Sequence, residues 1–227
     1  SSIEEDMSRR DFTINAISAS ILPDNFGTLY DPFGGIQDLQ KGLIITPLDP
    51  DDTFCDDPLR MLRAVRFAAQ LNFDIASTLL DSISQNVKRM EIISWERIRD
   101  EIIKSLSTAK PSIAFYHMKD TGLLSYVFPE LDIMSGVEVI DNKGHKDVFI
   151  HTLKVVDNAA KLTQNMDVRF AALVHDIAKP KTKHFDRKKG WTFHGHDEIG
   201  QRMLKNVAQR MKLSNQLRDF LMLLTKL

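Results

Sequence analysis

The segment DDPLRMLRAVRF, residues 56–67, is where the chain changes from short β-type runs to helical periodicity. Asp57-Pro58 is a helix start, because a carboxylate at the N-cap and a proline at the first helical position both favour helix initiation. Leu62 and Val65 then predict an apolar face that packs on a core. The same helix carries an arginine at every third position, namely Arg60, Arg63 and Arg66.

This arginine row has two interpretations. Its spacing is typical of a solvated basic face paired with acidic neighbours. The use of arginine without lysine, however, favours flat, bidentate contact with a phosphate or a base edge. Asp57 and Arg60 lie one turn apart, so we expect their head groups to converge. A carboxylate and a guanidinium side by side could imitate a base-pairing edge.

Turn signals are concentrated in residues 1–50, where we predict short strands at Phe12–Ile21, Thr28–Tyr30 and Leu43–Thr46. A glycine-containing segment with little periodicity, Asp132–Gly144, predicts a domain boundary. Helices beyond residue 57 are predicted at Ile75–Met90, after Ser94, at Pro111–Gly122, Val148–Leu162, Val168–Ala178 and Glu198–Met211, and from Ser214. The predicted fold is therefore mainly α with a small N-terminal β portion.

Composition narrows the functional class. The 227 residues include 30 basic and 31 acidic side chains, a net charge of -1, so any nucleic-acid surface has to come from local arginine clusters. The single cysteine, Cys55, excludes an internal disulfide and suits a reducing cytoplasm. Because apolar runs are short and the N-terminus has no signal-peptide pattern, we expect a cytoplasmic protein with no membrane partner.

Four segments together resemble the motifs of a known family. RRDFTINA at Arg9–Ala16, DPFGGIQDL at Asp31–Leu39, DDPLRMLRAVRF and SWERI at Ser94–Ile98 occur in that order. They are similar to successive motifs of the class II tRNA nucleotidyltransferases, the CCA-adding enzymes, and of the bacterial poly(A) polymerases. Taken alone, Arg9-Arg10-Asp11 would also suit a charged entry to the predicted strand.

The resemblance implies a role for each matching residue. It implies that Arg10 and Asp11 contact the phosphate and ribose of the incoming nucleotide. It implies that Asp57 and Arg60 read the base of CTP or ATP. Arg63 and Arg66 are implied to hold phosphates or to support the base readers. Gly34 and Gly35 correspond to a flexible turn. The implied partners are tRNA, CTP and ATP, and the oligomeric state stays open.

One part of the family pattern is not found before the RRDFTINA segment of this sequence. The family's Gly-Gly-x-x-Arg-Asp turn and its magnesium-binding Asp-x-Asp pair lie upstream of RRDFTINA, and residues 1–11 contain neither. The resemblance therefore implies that the metal carboxylates lie upstream of Ser1. Since pyrophosphate displacement by a 3′-hydroxyl needs those carboxylates, we expect no catalytic metal ligand in this chain and no activity from it alone.

Other functions remain open at this point. A poly(A) polymerase shares the same four motifs. An RNA-binding module without transferase chemistry would need no Asp-x-Asp pair. An HD phosphohydrolase with a regulatory first half is a further alternative, because the second half of the chain has histidines of its own.

Histidines cluster in that second half. His175-Asp176 ends an apolar helix, and such a pair can place an imidazole nitrogen and a carboxylate oxygen on one metal ion. His151 could add a third ligand and His196 a fourth, although partly buried structural histidines would give the same spacing. HKDVFIHTLKVVD, LVHDIAKP and GWTFHGHDEIG resemble the HD phosphohydrolase superfamily. Two imidazoles and a carboxylate suit a divalent transition metal. The resemblance implies in addition a closing aspartate farther along the chain.

The two resemblances divide the chain into three parts. Residues 1–50 correspond to the C-terminal part of a nucleotidyltransferase head. Residues 51–135 correspond to a helical neck that binds the nucleotide base and RNA. Residues 136–227 correspond to a truncated helical HD domain.

Overall fold

The computed structural model describes the backbone of residues 2–141, 144–182, 184–186, 190–192 and 196–224. It describes their side chains as well, except in the segments 138–146 and 183–197. Ser1 lies outside the described residues. In the described ranges the chain is mostly helical, as the sequence predicts.

The helices are α1 Ile3–Ser8, α2 Gly35–Lys41, α3 Pro50–Asp56, α4 Leu59–Leu71, α5 Ser77–Asn86, α6 Trp95–Leu106, α7 Ser112–Asp120, α8 Leu123–Val127, α9 Pro129–Asp132, α10 Val148–Leu162, α11 Met166–Val174, α12 Lys179–Thr182, α13 His196–Arg210 and α14 Asn215–Leu224. None of the helices in the described part of the chain has the length and apolar character needed to cross a membrane.

The strands are short and form two-stranded pairs. They are β1 Ser18–Ala19, β2 Leu29–Tyr30, β3 Leu43–Ile44, β4 Asp74–Ile75, β5 Glu138–Asp141, β6 Gly144–Asp147, β7 His184–Asp186 and β8 Gly190–Thr192. β3 and β4 pair in parallel, and the other pairs, β1–β2, β5–β6 and β7–β8, are antiparallel.

The predicted strand over residues 12–21 is wrong for most of its length. Within these residues only Ser18–Ala19 forms a strand, and Thr13–Asn15 forms a single 3-10 turn. The Asp11 carboxylate favours this turn by accepting from the Phe12 backbone N–H and from Asn15 Nδ2, both at 2.9 Å. Side-chain bonds of this kind compete with strand pairing.

The DPFGGIQDL segment supports that turn from the other side. Asp31 accepts from the backbone N–H groups of Gly35 and Ile36, at 2.7 and 2.8 Å, and so begins α2. A Cβ on Gly35 would lie 2.1 Å from the Thr13 carbonyl oxygen, so the residue has to be glycine for the backbones to approach. Gly34 has a φ of 74°, which also favours glycine. This turn is therefore closely packed at Gly35.

A continuous apolar core joins the helices of residues 59–132 to those that follow. Leu62 and Val65 of α4 are fully buried, as the sequence predicts, and α4 packs against α6 and α7. α10 packs on both α7 and α11. The carboxylate of Asp157 in α10 accepts from the Ser112 backbone N–H and hydroxyl, at 2.9 and 2.7 Å, and thereby caps α7 from a distant part of the chain.

Arg169 is the largest fully buried side chain in the described part of the chain, and it joins three chain segments. Its guanidinium donates to the carbonyl oxygens of Leu106 and Thr108 at the end of α6, at 2.7 and 3.1 Å. It also donates to Ala160 and Thr163 at the end of α10, at 3.0 and 2.8 Å. A cation at two helix C-termini satisfies carbonyl groups that the helices leave unpaired and complements both dipoles.

We expect Arg169→Met to lower the free energy of unfolding by about 3 kcal/mol, because several buried carbonyl groups lose their donor. Urea denaturation followed by circular dichroism measures the change. Lys161→Met, on an exposed position of α10, is the matched control and should change stability by less than about 0.5 kcal/mol. Equal stability of the two variants would contradict this role.

Candidate functional site

A cleft of about 550 Å³ lies where the RRD segment, the start of α4 and the start of α6 meet. Its lining is rich in arginine and contains two carboxylates. The lining residues are Arg9, Arg10, Asp11, Asn15, Asp57, Leu59, Arg60, Arg63, Phe67 and Arg97. Five of the six nucleotide-binding residues predicted from the sequence are therefore together in one cleft.

Asp11 and Arg63 form an ion pair in the wall of this cleft. Arg63 Nε and Nη2 lie 2.8 and 2.6 Å from Asp11 Oδ2, and Asp11 is buried. The Arg63 guanidinium also lies 5.5 Å from the centre of the Phe67 ring. Because Arg63 remains one-third exposed, it can still donate to a ligand in the cleft.

Asp57 caps the beginning of α4 and binds a second arginine. Its Oδ1 accepts from the Leu59 backbone N–H at 3.1 Å, as expected for a capping carboxylate. Its Oδ2 accepts from Arg97 Nη2 at 2.7 Å. Sequence reasoning did not single out Arg97, although it lies within the SWERI motif at the start of α6.

Arg60 is held by backbone oxygen atoms. Its Nη2 donates to the Arg9 carbonyl at 2.6 Å, and its Nη1 donates to the Thr53 carbonyl at 3.3 Å. Arg60 and Asp57 both line the cleft, as predicted. The ion pair of Asp57, however, is formed with Arg97.

Arg66 does not line the cleft, so of the two roles implied by the resemblance it does not fit phosphate binding. Its guanidinium is buried and lies 2.7 Å from Glu101 Oε2, in a pair whose side chains are only 8% and 2% exposed. It also donates to Gln70 Oε1 at 2.6 Å and lies 4.0 Å from the centre of the Phe67 ring. Its position fits support for the cleft wall and does not fit direct contact with a phosphate.

Arg10 is the most solvated of the predicted phosphate-binding residues. It donates to Asp6 at 2.8 Å, and this hydrogen bond and the Asp6 charge raise the pKa of Arg10. Because both side chains are more than half exposed, this pair contributes little stability and can be exchanged for a ligand phosphate. Five arginines and two carboxylates give the cleft an excess of positive charge, which suits an anionic ligand.

A second cluster forms where α10 and the end of α11 meet. His151, His175 and Asp176 each offer a ligand atom, and these atoms all lie within 4.8 Å of one another. His175 Nε2 is 3.2 Å and His151 Nε2 is 4.0 Å from Asp176 Oδ2. The sequence predicted this grouping. His196 begins α13, but its side chain lies outside the described residues.

A backbone carbonyl fixes the orientation of His175 in this cluster. Its Nδ1 donates to the Ala172 carbonyl oxygen at 2.9 Å, so in the neutral ring Nε2 is the nitrogen that could bind a metal ion. Burial lowers the pKa of His175, but hydrogen bonding and the charge of Asp176 outweigh it and raise the pKa. Burial raises the pKa of Asp176, but His175 and Lys179 outweigh it and lower the pKa. Two imidazoles and one carboxylate fit a divalent transition ion.

Three family models match this chain in sequence order. A poly(A) polymerase head domain matches residues 1–45. A family described as the probable RNA- and SrmB-binding site of polymerase A matches residues 72–134. An HD domain matches residues 148–224.

Two curated relatives align with nearly the whole chain. The Multifunctional CCA protein of Nitrosospira multiformis is 35% identical over 228 residues, covering 99% of this chain and 52% of that protein. Its counterpart from Psychromonas ingrahamii is 38% identical over 232 residues, covering 99% of this chain and 54% of that protein. The chain therefore spans about half the length of the curated relatives it matches.

The fold is also similar to that of solved structures about twice as long as this chain. A CCA-adding enzyme in complex with CTP superposes with a TM-score of 0.66 at 25% identity, covering 99% of this chain and 47% of that chain. The head, RNA-binding and HD models thus match in this order, and over nearly its whole length the chain is similar to Multifunctional CCA proteins and to a CCA-adding enzyme of known structure.

Proposed function

We propose that this chain is the nucleotide-selecting part of a tRNA nucleotidyltransferase that adds CMP and AMP to the tRNA 3′ end from CTP and ATP. The observation that carries this proposal is the arginine-rich cleft with Asp57 and Arg60 at the start of α4. In the proposed division, residues 1–50 are head, residues 51–135 are neck, and residues 136–227 are HD domain. The proposed location is the cytoplasm.

The pairing edges of cytosine and adenine explain why a carboxylate and a guanidinium are needed. Both bases carry an exocyclic amine beside an unprotonated ring nitrogen, so a reader must accept one hydrogen bond and donate the next. Ionised Asp57 is an acceptor only, and Arg60 is a donor only. Uracil and guanine present an oxygen where this pair requires an amine, so they are disfavoured.

The nucleotide's triphosphate is the proposed ligand of the remaining arginines. Arg63 lines the cleft from α4, and Arg10 lines it from the RRD segment. Guanidinium groups suit this task because each can make two parallel hydrogen bonds to phosphate oxygens. Arg66 is proposed to hold the wall that carries Arg63, through Glu101 and the Phe67 ring.

Magnesium supplies the activation of the 3′-hydroxyl and the stabilisation of the leaving pyrophosphate in this reaction class. The carboxylates of the described cleft do not fit a magnesium site, because Asp11 and Asp57 are each bound to an arginine of the lining and no further carboxylate or histidine lines the described cleft. We therefore assign no catalytic magnesium ligand to the described cleft. A poly(A) polymerase would use the same cleft. Tight binding of CTP to this chain would distinguish a CCA-adding enzyme from it.

For the HD part we propose a divalent transition metal held by His151, His175 and Asp176, with His196 as a fourth ligand. The grouping of three ligand atoms within 4.8 Å supports this proposal. A metal with an open position supplies an activated water for hydrolysis of phosphate esters. Lys179 Nζ, 2.8 Å from Asp176 Oδ2, holds the carboxylate at the edge of the cluster.

We expect Arg60→Ala to weaken CTP and ATP binding about tenfold or more, because the loss of a base-reading contact costs about 1–3 kcal/mol. Titration calorimetry with this chain measures the affinity. The exposed Arg202→Ala, on α13, is the matched control and should bind both nucleotides as the unsubstituted chain does. Retained CTP and ATP affinity in Arg60→Ala would contradict the proposed template.

Arg66→Met should lower the free energy of unfolding by about 3–5 kcal/mol, because Glu101 is left buried without its main partner. The double variant Arg66→Met/Glu101→Leu removes both charges and should recover most of that loss. Thermal and urea denaturation of the three proteins test this. If Arg66→Met keeps its stability and loses CTP binding, the residue contacts the nucleotide directly.

For the HD cluster, we expect one Mn²⁺ or Ni²⁺ ion to bind per chain and to raise the melting temperature. At 100 times the dissociation constant, the ion would add about 2.7 kcal/mol of stability. His175→Ala and Asp176→Ala should each abolish this rise, whereas His117→Ala, on α7, should retain it. Hydrolysis of 2′,3′-cyclic AMP by the metal-loaded chain then tests the phosphohydrolase activity. The same metal response in all variants would remove the proposed site.

A further inference from the structure

Arg97 lines the cleft, but neither the sequence motifs nor the proposed base-reading pair assigns a role to it. Its guanidinium lies 2.7 Å from Asp57 Oδ2, and its side chain is 49% exposed. Asp57 Oδ1 is bound at the same time by the Leu59 backbone N–H. Each oxygen of the carboxylate therefore has one fixed donor, and the donors come from different helices.

Two fixed donors determine what Asp57 can offer to a ligand. A carboxylate has about four acceptor positions, and here one on each oxygen is already used. The Leu59 N–H sets the position of Oδ1 from α4, and Arg97 prevents the carboxylate plane from turning about its bond to Cβ. The remaining acceptor positions consequently have a set direction in the cleft, where they can receive an exocyclic amine.

The first turn of α6, which carries Arg97, is held by contacts of its other residues. Trp95 lies under the Arg210 guanidinium, 5.0 Å from its ring centre, and Glu96 pairs with Lys212. Arg99 Nη1 donates to the Lys212 carbonyl at 3.0 Å. The end of α13 thus anchors the turn from which Arg97 reaches the cleft.

We propose that Arg97 is a positioning residue that orients Asp57, and that it thereby sets the preference for the amine-bearing bases cytosine and adenine over uracil and guanine. This inference rests on the proposed function, since it concerns the same nucleotide site. It adds a third member, contributed by α6, to the pair at the start of α4.

A phosphate-binding role for Arg97 would have a different consequence. An arginine that binds phosphate interacts equally with all four nucleoside triphosphates, so its loss weakens them in parallel. An arginine that orients Asp57 affects the ratio between nucleotides, because the template uses that carboxylate to accept from the amine of cytosine or adenine. The selectivity ratio therefore separates the two roles.

The test is titration of this chain with CTP, ATP, UTP and GTP, each measured separately. The unsubstituted chain should bind CTP about tenfold or more tightly than UTP, and Arg97→Ala should reduce this ratio to about threefold or less, the loss expected for a base-reading contact. Arg97→Lys retains a donor near Asp57 and should restore most of the ratio. Arg202→Ala, on an exposed position of α13 outside the cleft, should leave the ratio unchanged.

The failures of this test are distinguishable. If Arg97→Ala weakens all four nucleotides by the same factor, Arg97 binds phosphate and the positioning role is overturned. If it changes no affinity, the role is likewise overturned, while the proposed function stands. If the unsubstituted chain itself does not prefer CTP and ATP, the proposed function fails as well. Circular dichroism identifies an unfolded Arg97→Ala, in which case Arg97→Met decides by the same ratio.

Discussion

Burial of α4 is the constraint on which the cleft depends. Its fully buried side chains leave few directions round this helix open to solvent; they are Met61, Leu62, Ala64, Val65 and Ala68. Arginines three residues apart are rotated by about 60° from one another, since each residue turns the helix by about 100°. Arg60 and Arg63 can therefore reach the cleft, whereas Arg66, about 120° from Arg60, has to enter the core and needs Glu101 there.

The HD helices hold the wall of this cleft from behind. Arg169 joins the end of α6 to α10 and α11, and Asp157 caps α7. At the other end of α6, Arg210 forms a bidentate pair with Glu130, at 2.7 and 2.6 Å, and covers the Trp95 ring. Both ends of the helix that carries Arg97 are thus fixed by residues distant in sequence. This arrangement gives the HD part a structural role at the cleft whether or not it binds metal.

Periodicity and local capping predicted much of the fold, because those signals lie within one segment. Helices α6 and α10 begin where the sequence predicts and α4 begins one residue later, at Leu59. The His175-Asp176 pair meets His151 because α10 packs against α11. The 3-10 turn at Thr13–Asn15 was missed because Thr13 and Ile14 are β-branched, as strand residues often are. The hydrogen bonds that the Asp11 carboxylate makes to Phe12 and Asn15 depend on its side-chain conformation, which the sequence does not reveal. The Arg97–Asp57 pair joins residues 40 positions apart, which spacing along one helix cannot reveal.

The charged groups of the cleft are largely ordered by their own protein partners, and this bears on how selection could work. Arg60 donates hydrogen bonds to two backbone carbonyls. Asp57 accepts from a backbone N–H and from Arg97, and Asp11 accepts from Arg63. Ordering a free arginine or carboxylate on binding would cost about 0.5–1.5 kcal/mol per side chain, and that cost is reduced here. Groups held in this way can reject a base with the wrong pairing edge, since they cannot readily turn to accommodate it. Arg10 is exposed, and its ion-pair partner Asp6 is exposed too, so this arginine is less well ordered than the others. It is therefore suited to a phosphate, which every nucleotide carries, and less suited to reading a base.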